Sequence, residues 1–102
     1  MGRITVVTEH PMLVEYIREI GLIEPNEEVE VLKLGGIQLE DIPCLSGAVV
    51  IGELPLHLAA LAETITMVPL LAVPGELSGR ELTLEEIRRY ASRPCTYRVR
   101  LV

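Results

Sequence analysis

Two hydrophobic periods alternate along this chain, and that alternation limits its fold more than any other feature. The short β-branched run "RITVVT" (Arg3 to Thr8) reads as a buried first strand, and "GAVVIG" (Gly47 to Gly52) is apolar throughout, as strands covered on both faces are. Between and after such runs come stretches whose apolar residues recur every three or four positions, as on a helix packed by one face. The predicted order is β-α-β-β-α-β-α-β. It implies an α/β, compact Rossmann-like domain: a mostly parallel sheet of about five strands, helices on both faces, and the last strand at an edge. With 102 residues there is room for a single domain, 1–102.

Local signals place the elements. In "MLVEYIREIG" the residues Leu13, Tyr16, Ile17 and Ile20 share one helical face, Pro11 suits the first turn and Gly21 the position just past the end. "EVEVLKL" (Glu28 to Leu34) alternates as a strand until Gly35 and Gly36 break it, and "LPLHLAALAET" reads as a helix with Pro55 near its start. "ITMVPLLAV" (Ile65 to Val73) is the predicted fourth strand, although Pro69 has no N–H for the ladder. "TLEE" (Thr83 to Glu86) is a capping box opening a helix that runs to about Ser92. "TYRVRLV" closes the chain with Arg98 and Arg100 on one face and Tyr97, Val99 and Leu101 on the other, as an edge strand with one wet side.

Charge and composition narrow the function. A net charge of −6, with neither Trp nor Phe, removes the basic tracks and stacking platforms that long nucleic acids require. The charge is uneven, +3 over residues 80–102 and −9 before, so a small anion can still meet a basic corner. Screening beyond ~8 Å leaves that decision to local donors. No apolar run reaches the ~20 residues of a membrane span, and the first residues lack the order of an export signal. A cytoplasmic protein is expected. Cys44 and Cys95 stand far apart outside any C-x-x-C pair, and are expected as buried small hydrophobes rather than a zinc or redox site.

In parallel α/β sheets ligands settle outside the carboxyl ends of the strands. "TEHP", "GELP" and "AVPGEL" follow three predicted strands, so their residues can gather on one rim with His10 among them. Each candidate also has a plainer role. His10 before Pro11 suits a helix cap, His57 between Leu56 and Leu58 suits packing beside the core, and Glu9 and Glu53 suit solvated loops. Arg80 in "SGREL" can reach an anion or brace its loop against a carboxylate. Walker, G-x-G-x-x-G, H-E-x-x-H and nucleophile-elbow motifs are missing from the sequence.

His10-Pro11, "GELPLHLAA" (Gly52 to Ala60) and "PGELSGREL" (Pro74 to Leu82) together resemble the small CRISPR-associated accessory proteins of type III systems. That family pattern has His-Pro after the first strand, G-x-L-P-x-x-L-A after the third, and P-x-E-L-x-G-R-E-L near the carboxyl end, the last being the most specific. The resemblance covers nearly the whole chain. It implies a domain related to the CARF sensors, usually a homodimer, that binds cyclic oligoadenylate and degrades it as a ring nuclease, switching off antiviral signalling. This chain departs from the pattern at Glu9, where a basic residue is expected, at Lys33 in place of histidine, at His57 in place of asparagine, and at Ala72, often acidic.

What the resemblance implies for chemistry is cleavage of the ring, tetra-adenylate in the first instance, by its own 2′-hydroxyl, with no metal and no cofactor. The implied catalytic set is His10, His57 and Arg80. The implied ligand contacts are Thr8, Glu9, Pro11, Lys33, Gly52, Glu53, Leu54, Pro55 and Gly79, with helix starts after Thr8 and Gly52 cradling phosphates. A binder that sequesters the ring without turnover is the alternative within that class. A small subunit docking on a partner protein, with no nucleotide, is the alternative outside it.

Overall fold

The computed structural model describes residues 4–102. Five strands form one sheet: β1 (Ile4–Val7), β2 (Glu30–Leu32), β3 (Val49–Gly52), β4 (Thr64–Met67) and β5 (Cys95–Tyr97). The spatial order is β2-β1-β3-β4-β5, with every pairing parallel except β4 with β5. Four helices accompany it: α1 (Met12–Glu19), α2 (Ile42–Leu45), α3 (Leu56–Ala59) and α4 (Leu84–Tyr90). The fold is α/β and Rossmann-like, with β5 at an edge. Arg3, expected to open the first strand, lies outside the described residues.

Alternate residues of the strands feed two cores, one on each face. Val6 and Ile51 pack with Leu13 and Ile17 of α1 and Ile87 of α4. Val7, Val50 and Ile65 pack on the other face with Leu45 of α2 and Ala59 of α3. Ile17 and Ile87 are wholly buried, each burial contributing about 1.5–3 kcal/mol before the entropy of ordering is subtracted. Thr5, buried inside β1, is kept satisfied by donating its hydroxyl to the Cys44 carbonyl at 2.7 Å.

Helix ends follow their local signals. Gly21, at φ 84°, ends α1 in a Schellman arrangement: its N–H donates to the Arg18 carbonyl and that of Leu22 to the Ile17 carbonyl. The Thr83 hydroxyl accepts the Glu86 N–H while the Glu86 carboxylate accepts the Thr83 N–H, which completes the predicted capping box of α4.

Several expectations are corrected. The second strand is only Glu30–Leu32, because Leu34–Gly36 turns into a 3₁₀ helix. The fourth begins at Thr64 and stops at Met67, two residues before Pro69, with only an isolated bridge from Leu70 to Ala91 beyond it. The segment holding His57 makes a single helical turn, and α2, with Pro43 in its first turn, carries no signal that the periodicity detects. The last strand pairs through Cys95–Tyr97 rather than running to Val102. Tyr97 and Leu101 are exposed, and only Val99 of that predicted apolar face packs on the core. Cys95 is likewise exposed and Cys44 half-buried, so neither is the buried small hydrophobe expected. Among the described residues no helix is long and apolar enough to cross a membrane.

Candidate functional site

The backbone leaves the sheet under tight geometric control. Gly52, the last residue of β3, sits at φ 127°, where an added Cβ would lie 1.9 Å from the Val7 carbonyl oxygen of β1. Only glycine permits that approach, which allows the Glu53 N–H to donate to the same carbonyl at 3.0 Å. The carboxyl ends of β1 and β3 are thereby locked side by side, and the segments after them diverge: α1 crosses one face of the sheet and α3 the other.

A cavity of ≈ 390 Å³ opens on the rim at the α1 and α4 side, lined by Glu9, His10, Lys33, Gly79, Arg80 and Glu81. These residues come from three segments: the turn after β1, the end of β2, and the loop entering α4. A neighbouring recess of ≈ 220 Å³ adds Thr8, Pro11, Val31 and Leu32 and shares Glu9, Lys33 and Glu81.

His10 is held from two directions. Its own N–H donates to the Thr8 hydroxyl at 2.9 Å, and its Nδ1 accepts the N–H of Leu82 at 3.2 Å. A ring nitrogen that accepts a backbone N–H carries no proton, so the contact fixes the tautomer with hydrogen on Nε2. The Nε2–H of His10 is thereby left as a hydrogen-bond donor.

The charged groups are tied as firmly. Glu9 accepts the Gly35 N–H at 2.8 Å, bracing the turn that follows Lys33. Arg80 donates to the Glu81 carbonyl at 2.8 Å and to the Glu86 carboxylate at 2.7 Å. Glu86 thus serves the helix cap with one oxygen and orients Arg80 with the other. Its carboxyl is held below its ordinary value of 4.5, first by the Arg80 hydrogen bond and then by the Thr83 N–H. Of the two roles open to Arg80, the brace against a carboxylate is present, and its half-exposed side chain also lines the cavity.

The rim does not collect every candidate. Gly52, Glu53, Leu54, Pro55 and His57 do not line these cavities: Leu54 packs into the core on the α2 and α3 face, and Glu53 and His57 are exposed. His57 is therefore not packed beside the core either. The start of α1 has little capacity left for phosphate, because Leu13 and Val14 donate their N–H groups to the carbonyls of His10 and Pro11. Glu81 lines both cavities and escapes sequence reasoning, since a carboxylate before a capped helix has no distinguishing signal. Among the described residues no three of His, Cys, Asp and Glu gather as a metal-ligand cluster.

Ala72 takes φ 59°, a conformation that suits Gly, Asn or Asp better than Ala.

A family model described as "Putative CRISPR-associated protein (Cas_VVA1548)" matches residues 5–100. No curated protein and no solved structure matches significantly. The matched span contains every residue that lines the cavity, and the chain belongs to this CRISPR-associated family.

Proposed function

We propose that the protein binds cyclic oligoadenylate in the rim cavity and cleaves it, damping type III antiviral signalling. The observation that carries this reading is the convergence of Lys33, Arg80 and His10, from three separated segments, on one cavity. Two cations and an N–H donor suit a phosphodiester, whose charge increases at the reacting phosphorus in the transition state.

The ligand supplies its own nucleophile. Its 2′-oxygen attacks the adjacent phosphorus, the bond to the 5′-oxygen breaks, and the products are a 2′,3′-cyclic phosphate and a 5′-hydroxyl. The 2′-hydroxyl must give up a proton and the 5′-oxygen must gain one. With its proton on Nε2, His10 is suited to stabilising a non-bridging phosphoryl oxygen. Of the two carboxylates that line the cavity, Glu9 already accepts the Gly35 N–H, and Glu81 is the one assigned here to accept the 2′-hydroxyl proton. Arg80, oriented by Glu86, and Lys33 offset the charge of the phosphorane. A two-fold homodimer would present each group twice to a symmetric ring. Light scattering tests the dimer.

Incubating the protein with cyclic tetra-adenylate in EDTA should yield linear products. Intact ring in the presence of excess protein would overturn cleavage. A sequestering binder is the second reading, favoured by the fixed tautomer of His10, which leaves Nε2 without a lone pair for base catalysis. Tight binding measured by calorimetry without linear products would select it.

A further inference from the structure

Beside the charged cavity lies a second space of different chemistry. A pouch of ≈ 190 Å³ is floored by Leu70, Val73, Leu77 and Leu82, and it shares His10, Gly79 and Arg80 with the first cavity. Leu82 belongs to the hydrophobic core of the α1 and α4 face, and Leu70 and Leu77, partly buried, pack against that core, so the floor of the pouch is continuous with it.

Its walls are built from bonded backbone. Leu71 donates to the Tyr90 carbonyl at 2.9 Å, Leu77 to Pro74 at 3.0 Å and Ser78 to Gly75 at 3.1 Å. Ala72 and Gly79, at φ 59° and 85°, reverse the chain on either side of the 3₁₀ turn Gly75–Leu77. A pouch already formed requires little ordering when it is filled.

From this continuity we infer that the pouch is a nucleobase subsite, accepting the flat apolar body of an adenine whose phosphate occupies the charged cavity. The inference rests on the proposed nucleotide-binding role and adds the base-recognising surface to it. A nucleotide joins an anionic group to an apolar ring over a short distance. Here a compartment with Lys33 and Arg80 adjoins one with leucine and valine, and His10 stands in the wall between them. Ser78 and Gly79 complete the lining of the pouch, the Ser78 N–H being already bonded to the Gly75 carbonyl.

Methyl NMR tests this with small probes. Adenosine 5′-monophosphate at millimolar concentration should shift the methyls of Leu70, Val73 and Leu77, and ribose 5-phosphate should leave them in place. Unmoved methyls with the adenosine compound, or equal shifts with both, overturn the subsite. Val73→Trp, which fills the pouch, should weaken binding of cyclic tetra-adenylate about ten-fold or more. A folded V73W that binds the ring like the parent overturns the subsite and leaves ring binding standing. Methyl shifts with adenosine 5′-monophosphate in a chain that ignores the ring support the subsite and overturn the ring as ligand. Should V73W not fold, the two small probes on the unaltered chain still separate a filled pouch from an empty one.

Discussion

Leu82 donates its backbone N–H to Nδ1 of His10 at 3.2 Å, joining residues 72 positions apart. One contact thereby sets a histidine's tautomer and fixes the loop entering α4 against the turn after β1. The structural contact uses Nδ1 and the proposed chemistry uses Nε2, so variants can separate the two.

Replacing His10 tests that separation. His10→Ala leaves the N–H of buried Leu82 without an acceptor and should cost about 1–3 kcal/mol of stability along with turnover. In His10→Asn the side-chain oxygen stands near the place of Nδ1, so stability should stay within about 0.5 kcal/mol while ring cleavage falls about 100-fold. Thermal melts and product assays on both variants check this. Unchanged turnover in the asparagine variant would remove His10 from the chemistry.

Glu9 places a carboxylate in a cavity assigned to an anion. Glu9→Gln keeps an oxygen for the Gly35 N–H and deletes the charge, so cyclic tetra-adenylate should bind about three- to ten-fold more tightly at low salt, with the gain shrinking as salt rises. Calorimetry at two salt concentrations measures it. Weaker binding would argue that Glu9 accepts a hydrogen bond from the ligand.

The linked cap and brace at Glu86 predict an acid dependence. Its folded pKa lies below the ordinary value of 4.5, so its contribution to stability is fully present above that pH and is lost as the pH falls through the folded value. Glu86→Gln should therefore melt below the parent at neutral pH, and the gap should close progressively below about pH 4.5. Glu19, lowered in the same sense by Arg88, leaves its own acid dependence in both proteins. A gap that stays constant with pH would show that the charge on Glu86 contributes nothing.

Gly52→Ala should be severe. The new Cβ meets backbone, the Val7 carbonyl, in a conformation that L side chains rarely adopt, and neither strand can withdraw without breaking its ladder. A loss of about 3 kcal/mol or more is expected, read as insolubility or a strongly lowered Tm. A variant that melts like the parent would contradict the close approach of β3 to β1.

Ala72→Gly should do the reverse. Relief of the left-handed conformation is worth about 1–2 kcal/mol, and the added freedom of glycine in the unfolded chain subtracts about 0.5–1. A net gain of about 0.5–1 kcal/mol is expected in chemical denaturation, and Ala72→Asp should share part of it. Destabilisation by glycine would show that Ala72 is not strained.

Features that depend on a few neighbouring residues are legible in the chain itself. The β-branched runs around Val6 and Val50 form sheet core, Gly21 closes α1, and Thr83 and Glu86 cap α4, because each signal and its partner lie within about one helical turn or one strand. The candidate site is not legible in that way. Lys33, His10 and Arg80 meet because the sheet orders its strands β2-β1-β3-β4-β5 and seats α1 and α4 on one face, a layout that no spacing along the chain encodes. The same layering carries α3 to the other face, and His57 with it, although "GELP" and "TEHP" look alike in sequence. Pairing also overrules alternation at the end of the chain: β5 is paired with β4 only over Cys95–Tyr97, opposite Met67, Thr66 and Ile65, although the alternating pattern runs on to Val102. Local chemistry chooses the elements, and their order in space chooses which side chains share a cavity.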